Sequence, residues 1–323
     1  MLKQVLIVTG PTGVGKTEFV SKLGAVFPIE IINADIGQMY APLTIGTAKP
    51  DWQKDPIKHH LFDIICEPID FTIVQFRALV TDLVQEIWAR GKTPIIVGGS
   101  TLYIKSLFYA PANLPGSVAN LEINSKIEKP VDDPWQVLNL IDPKRASSLH
   151  PNDYYRIQRA LAIWNQTGVL PSQCLPKYDP IASDMVLLIL DNPKTDLYAK
   201  IDQRVHAMMQ MGWLAEVASL EPKWYDFLRR KKIIGYEILL DYCINQKNTD
   251  VESCIKMIQQ RVRNYAKKQQ TFWRSLCKDL LLHVEMRQKV FEINLTLLDV
   301  DLYIKQLSVK LKRNKGDGTD GQY

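Results

Sequence analysis

Residues 5–17 read VLIVTGPTGVGKT, an apolar run that leads into the glycine-rich segment GPTGVGKT at Gly10–Thr17. The segment matches the phosphate-binding pattern GxxxxGK[ST] and lies between a strand-like run and a stretch of helical period, the context that the pattern requires. Backbone N–H groups of such a loop bind phosphate oxygens, helped by the N-terminus of the following helix. Lys16 adds a positive charge, and the Thr17 hydroxyl can bind Mg²⁺. The alternative is a glycine-rich turn that only caps a helix.

The residues predicted to hold phosphate are Gly10, Pro11, Thr12, Gly13, Val14, Gly15, Lys16 and Thr17. Such a loop indicates that a di- or triphosphate is bound, and most proteins that carry it act on ATP or GTP. The loop alone therefore does not identify the reaction, and the residues at the ends of the other strands are needed for that.

Short apolar runs alternate with longer segments of helical period through the first third of the chain, at residues 5–8, 29–32 and 94–97. This alternation predicts an α/β fold, and uninterrupted apolar runs are typical of parallel strands covered by helices on both faces. The pattern loosens from Tyr109 to about Pro134. It then becomes mainly helical as far as Arg313, with one more strand candidate at residues 185–190.

We predict four regions: a P-loop NTPase-like α/β core with a parallel sheet at 1–110, an inserted helical region with a return strand at 111–200, an α-rich C-terminal part at 201–313, and a disordered tail at 314–323. The 323 residues are 46% hydrophobic and 23% charged, as in globular proteins. A net charge of +5 suits a polyanionic partner without requiring one.

The five cysteines are scattered and never form a CxxC pair, which argues against a disulfide framework or a structural zinc site and predicts reduced thiols. No stretch reaches about 18 apolar residues, and the N-terminus has no signal-peptide pattern. We therefore expect a soluble cytoplasmic protein without membrane contact, and a monomer.

Chemically active residues follow three of the predicted strands, and ligands of open parallel sheets bind outside the carboxyl ends of the strands. The first strand leads into the P-loop, the second into Asp35, and the third into Gly98, Gly99 and Ser100. The Asp35 carboxylate can accept a proton or bind a metal, although it can also be a simple turn cap. The two glycines allow close backbone approach, and Ser100 supplies a hydroxyl.

The whole set of motifs resembles the tRNA dimethylallyltransferase family, from GPTGVGKT to AKKQQTFWR at Ala266–Arg274. The segments between them match in order: NADIGQMY, IGTAKP, HHLFDI, RGKTPIIVGGSTLYIKSL, LHPNDYYRIQRAL, IDQRVHAMM, IIGYEIL and QQRVRNYAKKQ. The resemblance implies a P-loop core with an inserted helical domain and a channel between them. It also implies transfer of a dimethylallyl group from dimethylallyl pyrophosphate to N6 of adenosine 37 in the tRNA anticodon loop.

By the same resemblance, Asp35 is the general base, Ser100 lies near the reacting amine, and Arg204 contacts the donor. The exocyclic amine of adenine is a weak nucleophile that must lose a proton, which a nearby carboxylate can accept. On the donor side, Lys16, Arg204, the loop amides and Mg²⁺ would stabilise the departing pyrophosphate.

The positions that match tRNA-contacting segments of the family are Asp35, Ile36, Gly37, Gln38, Tyr155, Arg156, Ile157, Gln158, Arg159, Lys231, Lys232, Tyr236, Arg263, Lys267 and Lys268. Gln38 can pair bidentately with an adenine edge, or be an ordinary turn residue. The basic and aromatic segments, with Phe272 and Trp273, suit RNA binding. Without the resemblance they would be ordinary solvated helix faces.

Three alternatives remain open. A kinase or NTPase would use MVLLILD, which ends at Asp191, as a Mg²⁺-binding strand. A prenyltransferase that acts on free adenylate, or a non-catalytic RNA-binding protein, would share parts of the pattern.

His59 and His60 lack a third ligand at zinc spacing, so no zinc site is predicted there. Asp63, in HHLFDI, is a lesser site candidate or a cap.

The chain departs from the family pattern at four positions, where it has Ile36, Gly37, Ser100 and Tyr155. Ile36 replaces a usual serine and Ser100 a threonine, while Tyr155 replaces a glutamine. These changes are on the acceptor side, so we expect near-normal donor affinity with weakened or altered use of tRNA.

Overall fold

The computed structural model describes residues 3–111, 133–245 and 250–307. The tail predicted to be disordered, 314–323, lies outside the described residues. Contacts divide the chain into two compact units, the first made of Met1–Phe71, Ala78–Lys105 and Ala182–Tyr323, and the second of Thr72–Arg77 and Ser106–Ile181. The domain boundaries expected from the sequence, at residues 110 and 200, stay predictions.

The first unit is built on a six-stranded sheet whose described pairings are all parallel. Its strands are β1 Gln4–Thr9, β2 Ile29–Asn33, β3 His59–His60, β4 Thr93–Val97, β7 Asp184–Asp191 and β8 Val290–Asn294, in the order β3-β2-β4-β1-β7-β8. Every residue of β1 and β2 is buried, which is why most residues of these strands are apolar. The expected α/β class and the four expected strands are confirmed.

The helices of residues 3–111 are α1 Lys16–Gly24, α2 Ile36–Met39, α3 Ile73–Ala89 and α4 Thr101–Phe108. Those that follow the second unit are α8 Lys194–Gln210, α9 Trp213–Ala218, α10 Lys223–Lys231, α11 Tyr236–Asn245 and α12 Val251–Leu281, and residues 300–307 are also helical. Leu6, Val8, Leu23, Leu188 and Ile201 belong to the core between strands and helices. This packing fixes the carboxyl ends of the strands, where the candidate site lies.

The second unit contains the helices α5 Pro134–Ile141, α6 Pro143–Ser147 and α7 Tyr154–Thr167, with the short antiparallel pair β5 Tyr109–Ala110 and β6 Lys177–Tyr178. Each helix begins after an aspartate whose carboxylate accepts backbone N–H bonds: Asp133, Asp142 and Asp153. Its core includes Leu138 and Ile157, both without solvent exposure.

The prediction of continuous helix to Arg313 was wrong at residues 290–294, which form the edge strand β8. The sequence VFEIN carries no continuous apolar run, because a strand paired on one side only leaves some of its side chains in solvent. Within the part of the chain that the structure describes, no helix is long and apolar enough to cross a membrane.

Candidate active site

The glycine-rich loop joins β1 to α1 and owes its shape to three glycines. Gly10, Gly13 and Gly15 have φ of 143°, 81° and 105°, conformations that residues with a side chain rarely adopt. A Cβ on Gly10 would stand 2.2 Å from the carbonyl oxygen of Leu190. The loop therefore has no room for a side chain at Gly10, and its backbone conformation disfavours one at Gly13 and Gly15. The loop backbone leads directly into the N-terminus of α1.

Lys16, the first residue of α1, turns its side chain back over the loop. Its Nζ donates to the carbonyl oxygens of Gly10 and Pro11, each at 3.0 Å. Burial lowers the pKa of Lys16 to about 8, an effect that the charge of Asp35 opposes and that of Arg204 reinforces. The third ammonium hydrogen can still serve a ligand.

A cavity of about 560 Å³ lies beside this loop and is called the phosphate cavity below. It is lined by Thr12, Gly13, Gly15, Lys16 and Thr17 from the loop and α1, by Asp35, Gln38, Gly98 and Gly99 after β2 and β4, and by Arg204, Tyr265 and Gln269 from α8 and α12. The structure thus brings most of the phosphate-binding candidates into one cavity. Gly10, Pro11 and Val14 belong to the loop but do not line the cavity.

A second cavity of about 540 Å³, the acceptor cavity, shares Thr12, Thr47, Asp35, Arg204 and Tyr265 with the first. Its other walls are mostly aliphatic and aromatic, with Ile36, Gly37, Tyr40, Ser100, Tyr103, Met208, Trp213, Phe227, Lys231 and Lys232 among them. Apolar and aromatic walls with few polar groups are typical of sites for organic ligands such as planar bases. Two cavities of different character therefore meet at the same residues.

Asp35 lies where the cavities meet and also begins helix α2. Its Oδ1 accepts a hydrogen bond from Gly37 N at 3.2 Å, and its own N–H donates to Asn33 Oδ1 at 2.9 Å. Burial raises the pKa of Asp35, although Lys16, the Gly37 N–H and Arg204 act in the opposite direction. The carboxylate is thus both a helix cap and a group in the site, so the two roles considered from the sequence coexist.

Arg204 extends from α8 into both cavities. Burial lowers the pKa of its guanidinium, and the nearby Asp35 carboxylate partly restores it. An arginine remains protonated at physiological pH in either case. Lys16 and Arg204 thus give the site two positive charges near one carboxylate.

Ser100 is buried at the start of α4, and its hydroxyl lies against the residue that follows Asp35. The hydroxyl accepts a hydrogen bond from Ile36 N at 3.0 Å, while Ser100 N donates to Ala34 O at 3.2 Å. A Cβ on Gly98 would stand 2.1 Å from the same Ala34 carbonyl oxygen. The loops after β2 and β4 are therefore locked together, and the hydroxyl hydrogen of Ser100 can point elsewhere.

Two residues of α12 belong to the site although the sequence did not single them out for it. Tyr265 and Gln269 both belong to the matched segment QQRVRNYAKKQ without being named as site residues, yet both line the phosphate cavity. Burial, followed by the charge of Asp35, raises the pKa of Tyr265. The spacing of four residues, which puts both side chains on one helix face, is the signal that could have found them.

Three residues expected to contact RNA are buried, which corrects the prediction for them. Ile157 and Tyr236 have no solvent exposure, and Trp273 is 2% exposed. Ile157 packs in the core of the second unit, Tyr236 against Trp213, and Trp273 beside Phe272. A side chain inside the core cannot contact an RNA without unfolding its helix.

Gly37 is also buried, whereas the remaining RNA-binding candidates keep at least part of their side chains in solvent. Tyr155 is exposed, as are Arg156, Lys267 and Lys268, whereas Gln158, Arg159 and Arg263 are half-buried. Arg263 binds both carboxylate oxygens of Asp202, at 2.6 and 2.7 Å. Lys231 pairs with Asp70 at 2.6 Å and lines the acceptor cavity, as does Lys232. Their contact with RNA stays a prediction.

Gln38 lines the phosphate cavity, and both hydrogens of its side-chain amide already form hydrogen bonds. Its Nε2 donates to Thr47 O at 3.0 Å and to Ala48 O at 3.2 Å, which uses both amide hydrogens. With these bonds made, the side chain can accept a hydrogen bond but cannot also donate one. The expected bidentate pairing with an adenine edge therefore requires Gln38 to release the loop.

The remaining polar candidates have structural partners. Asp63 binds Lys49 and accepts from Trp52 Nε1 at 2.9 Å, and His60 lies 2.8 Å from Glu30. No group of three metal-binding side chains occurs in residues 3–111, 133–245 and 250–307.

Asp191 ends β7, where a kinase or NTPase would use it to bind Mg²⁺. Its Oδ1 instead accepts from Gln270 Nε2 and from Asn192 N, both at 2.9 Å. It is not among the residues that line the phosphate cavity or the acceptor cavity. The geometry therefore does not favour that alternative.

The sequence and the fold of this chain are similar to those of known proteins. A profile of the family described as IPP transferase matches residues 38–276. The tRNA dimethylallyltransferase of Fervidobacterium nodosum is 35% identical over 296 residues, which span 89% of this chain and 94% of that protein.

Among solved structures, the tRNA isopentenylpyrophosphate transferase of Bacillus halodurans is 26% identical with a TM-score of 0.62, and the match covers 98% of this chain and 97% of that one. A eukaryotic dimethylallyltransferase acting on tRNA shares the fold at 24% identity, with a TM-score of 0.73 over 99% of this chain and 81% of that one. The resemblance seen in the motifs is thereby confirmed, and the chain belongs to the IPP transferase family.

Proposed function

We propose that this protein transfers a dimethylallyl group from dimethylallyl pyrophosphate to N6 of adenosine 37 in the anticodon loop of tRNA and releases pyrophosphate. The observation that carries the proposal is the position of Asp35, whose carboxylate lines both the phosphate cavity and the acceptor cavity. A group at this junction can touch the acceptor while the donor occupies the other side. We place the reaction in the cytoplasm, where the tRNA substrate is found.

The phosphate cavity suits the pyrophosphate of the donor. As the allylic carbon–oxygen bond breaks, negative charge accumulates on the pyrophosphate, and preorganised positive groups stabilise it. Lys16, Arg204 and the loop N–H groups would supply this stabilisation. In these roles the residues bind and orient the leaving group and do not take part in covalent chemistry.

A Mg²⁺ ion also fits this cavity, because the Thr17 hydroxyl lines it and is an oxygen ligand. Mg²⁺ usually binds through one or two protein oxygens together with phosphate oxygens and water. When bound, it would neutralise part of the charge on the pyrophosphate.

On the acceptor side, Asp35 would accept the proton that N6 loses as the new C–N bond forms. Burial raises the pKa of Asp35, which makes its carboxylate a stronger base than an ordinary one. Ser100 would orient the amine. An enzyme that acts on a stacked base generally extrudes it into a pocket, and the aromatic walls of the acceptor cavity suit such a base.

The decisive experiment incubates the protein with dimethylallyl pyrophosphate, Mg²⁺ and a synthetic anticodon stem-loop with adenosine at position 37. We expect the stem-loop to gain the mass of one dimethylallyl group, and digestion to locate it on that nucleoside. A stem-loop with guanosine at position 37 is the matched control. No mass change with either RNA would refute the proposal.

Two further measurements test the competing activities. Isothermal titration should show tighter binding of dimethylallyl pyrophosphate than of ATP, whereas tighter ATP binding with turnover to ADP would indicate a kinase or NTPase. Free adenylate replaces the stem-loop in a third reaction. Faster prenylation of adenylate than of RNA would indicate an adenylate prenyltransferase.

A further inference from the structure

The Glu216 carboxylate on α9 receives four hydrogen bonds, three of them from consecutive backbone groups of one loop. Oε2 accepts from Thr44 N at 3.2 Å and from Ile45 N at 2.7 Å, and Oε1 accepts from Gly46 N at 3.4 Å. Oε1 also accepts from the hydroxyl of Tyr236 at 2.6 Å. Hydrogen bonds to an ionised acceptor are about twice as strong as neutral ones. The carboxylate thus holds residues 44–46 as a unit.

Trp213, one turn before Glu216 on the same helix, packs against this loop at Gly46. A Cβ on Gly46 would stand 2.1 Å from Trp213 Nε1, and one on Gly235 would stand 2.2 Å from the far edge of the same ring. The ring also packs edge-on against Tyr236, with centroids 5.6 Å apart. The loop backbone is therefore confined between the Trp213 ring and the Glu216 carboxylate.

The other end of the loop, residues 47–48, contacts helix α2 in the site. The carbonyl oxygens of Thr47 and Ala48 accept both amide hydrogens of Gln38. A Cβ on Gly37 would stand 2.9 Å from Thr47 Cγ2, so loop and helix are in close contact. Because α2 begins directly after Asp35, a shift of the loop would move the residues next to the proposed base.

We infer that Glu216 is a positioning residue for the acceptor side of the reaction, acting through the 44–48 loop on α2 and Asp35. Glu216 is not among the residues that line either cavity, whereas Gly46 and Thr47 do line the acceptor cavity. Tyr236, which the sequence assigned to RNA contact, serves instead as a donor that orients this carboxylate. The kinetic part of the inference rests on the proposed function.

The substitution Glu216→Gln tests the inference because it replaces one accepting oxygen with an NH₂ group of the same size. An NH₂ group cannot accept, so at least one N–H of the loop loses its partner. We expect kcat/KM for the anticodon stem-loop to fall about 10- to 100-fold, the range expected when a substrate is misplaced by a fraction of an ångström to one ångström. The Kd for dimethylallyl pyrophosphate, measured by titration, should stay unchanged.

Tyr236→Phe removes only the hydroxyl and keeps the ring against Trp213, so it is a second variant with little risk to folding. This variant should also lower kcat/KM for the anticodon stem-loop, by a smaller factor than Glu216→Gln. Glu221→Gln is the matched control, since Glu221 is exposed and pairs only with Lys223 at 3.2 Å among its described ion pairs. This control should leave kcat/KM for the stem-loop and the Kd for dimethylallyl pyrophosphate unchanged.

Backbone hydrogen exchange gives a test that does not depend on activity. In Glu216→Gln, the amides of residues 44–46 should exchange about tenfold faster or more, as expected for loss of a hydrogen bond to a charged group. Unchanged exchange in both Glu216→Gln and Tyr236→Phe would overturn the inference, as would an equal loss of donor affinity. An inactive wild-type protein would instead refute the proposed function, and the exchange result would still decide whether Glu216 holds the loop.

Discussion

The backbone N–H of Thr12 donates a hydrogen bond to Oε1 of Gln269, at 2.9 Å. The other end of the same amide, Nε2, donates to Gly99 O at 2.8 Å, and the side chain is almost fully buried. A Cβ on Gly99 would stand 2.6 Å from that nitrogen. One amide from α12 therefore joins the glycine-rich loop to the loop that follows β4.

Replacement of Gln269 should weaken donor binding because both loops lose their common partner. We expect Gln269→Ala to raise the Kd for dimethylallyl pyrophosphate about tenfold, the value for removal of two neutral hydrogen bonds. Gln269→Glu keeps an acceptor for Thr12 but faces Gly99 O with a second acceptor, so it should also weaken binding. Gln270→Ala is the neighbouring control, since Gln270 binds Asp191 outside the cavity. Equal effects at 269 and 270 would contradict this account.

Lys16 should make donor binding depend on pH. Its pKa of about 8 means that the ammonium is charged below that pH and loses its proton above it. We expect the Kd for dimethylallyl pyrophosphate to be constant below pH 8 and to rise by up to tenfold per pH unit above it. Lys16→Met should bind weakly, with the step near pH 8 absent.

Lys16→Ala should also abolish transfer while tRNA binding stays close to that of the wild type, because the lysine serves the pyrophosphate. Filter binding with labelled tRNA, beside the transfer assay, separates the two effects. Full activity in this variant would remove the glycine-rich loop from the mechanism.

Asp35→Asn should lose at least about 10²-fold in single-turnover rate, the usual scale for loss of a general base. The fold should persist, because an asparagine oxygen can still accept from Gly37 N and cap α2. In the wild type, burial raises the pKa of Asp35, so the rate should begin to fall on acidification at a higher pH than for an ordinary carboxylate. A near-normal rate for Asp35→Asn would exclude Asp35 as the base.

Charge reversal at the exposed basic positions should weaken tRNA binding and reduce its dependence on salt. A phosphate that no longer meets a basic side chain keeps its counterions, so the slope of log K against log salt should become shallower by almost one for each such phosphate. We expect this for Arg156, Arg159, Lys267 and Lys268, each changed singly to Glu. Lys54→Glu, on an exposed side chain paired with Asp51, is the control for net charge. Slopes that match this control would place the RNA elsewhere.

The sequence was sufficient for four of the six strands of the sheet and for the glycine-rich loop, because these have local signals. The strands buried on two faces are mostly apolar, whereas β8 lies at the sheet edge and has exposed polar and apolar residues. Motifs also named α7 and α12 as RNA-facing but could not say which side of each helix packs inward. Ile157 and Trp273 were therefore assigned to RNA although they lie in cores.

The hydrogen bonds that join separate segments lie beyond any local pattern. Glu216 meets residues 44–46 across about 170 positions of sequence, and Gln269 meets Thr12 across 257. One chain without aligned relatives gives no signal for such pairs. Helical spacing does place Gln269 on the same face as the buried Ala266 and Trp273, which indicates burial but not the partner.

Ile36 and Ser100, two of the four departures from the family pattern, are in contact in the structure. Ile36 N donates to Ser100 Oγ at 3.0 Å, and both residues line the acceptor cavity. Isoleucine brings no hydroxyl to this wall, while serine lacks the methyl group that stiffens χ1 in threonine. The positions should therefore act together on the acceptor and leave the donor unaffected.

We expect Ile36→Ser combined with Ser100→Thr to raise kcat/KM on an adenosine-containing anticodon stem-loop, with the Kd for dimethylallyl pyrophosphate unchanged. The restored hydroxyl can contact the base, and the added methyl group fixes the orientation of the Ser100 oxygen that accepts from Ile36 N. Since the residues touch, the gain should exceed the product of the two single effects, as a double-mutant cycle would measure. If the wild type is already fast and the double variant gains nothing, these departures are neutral, and the role given to Ile36 is wrong.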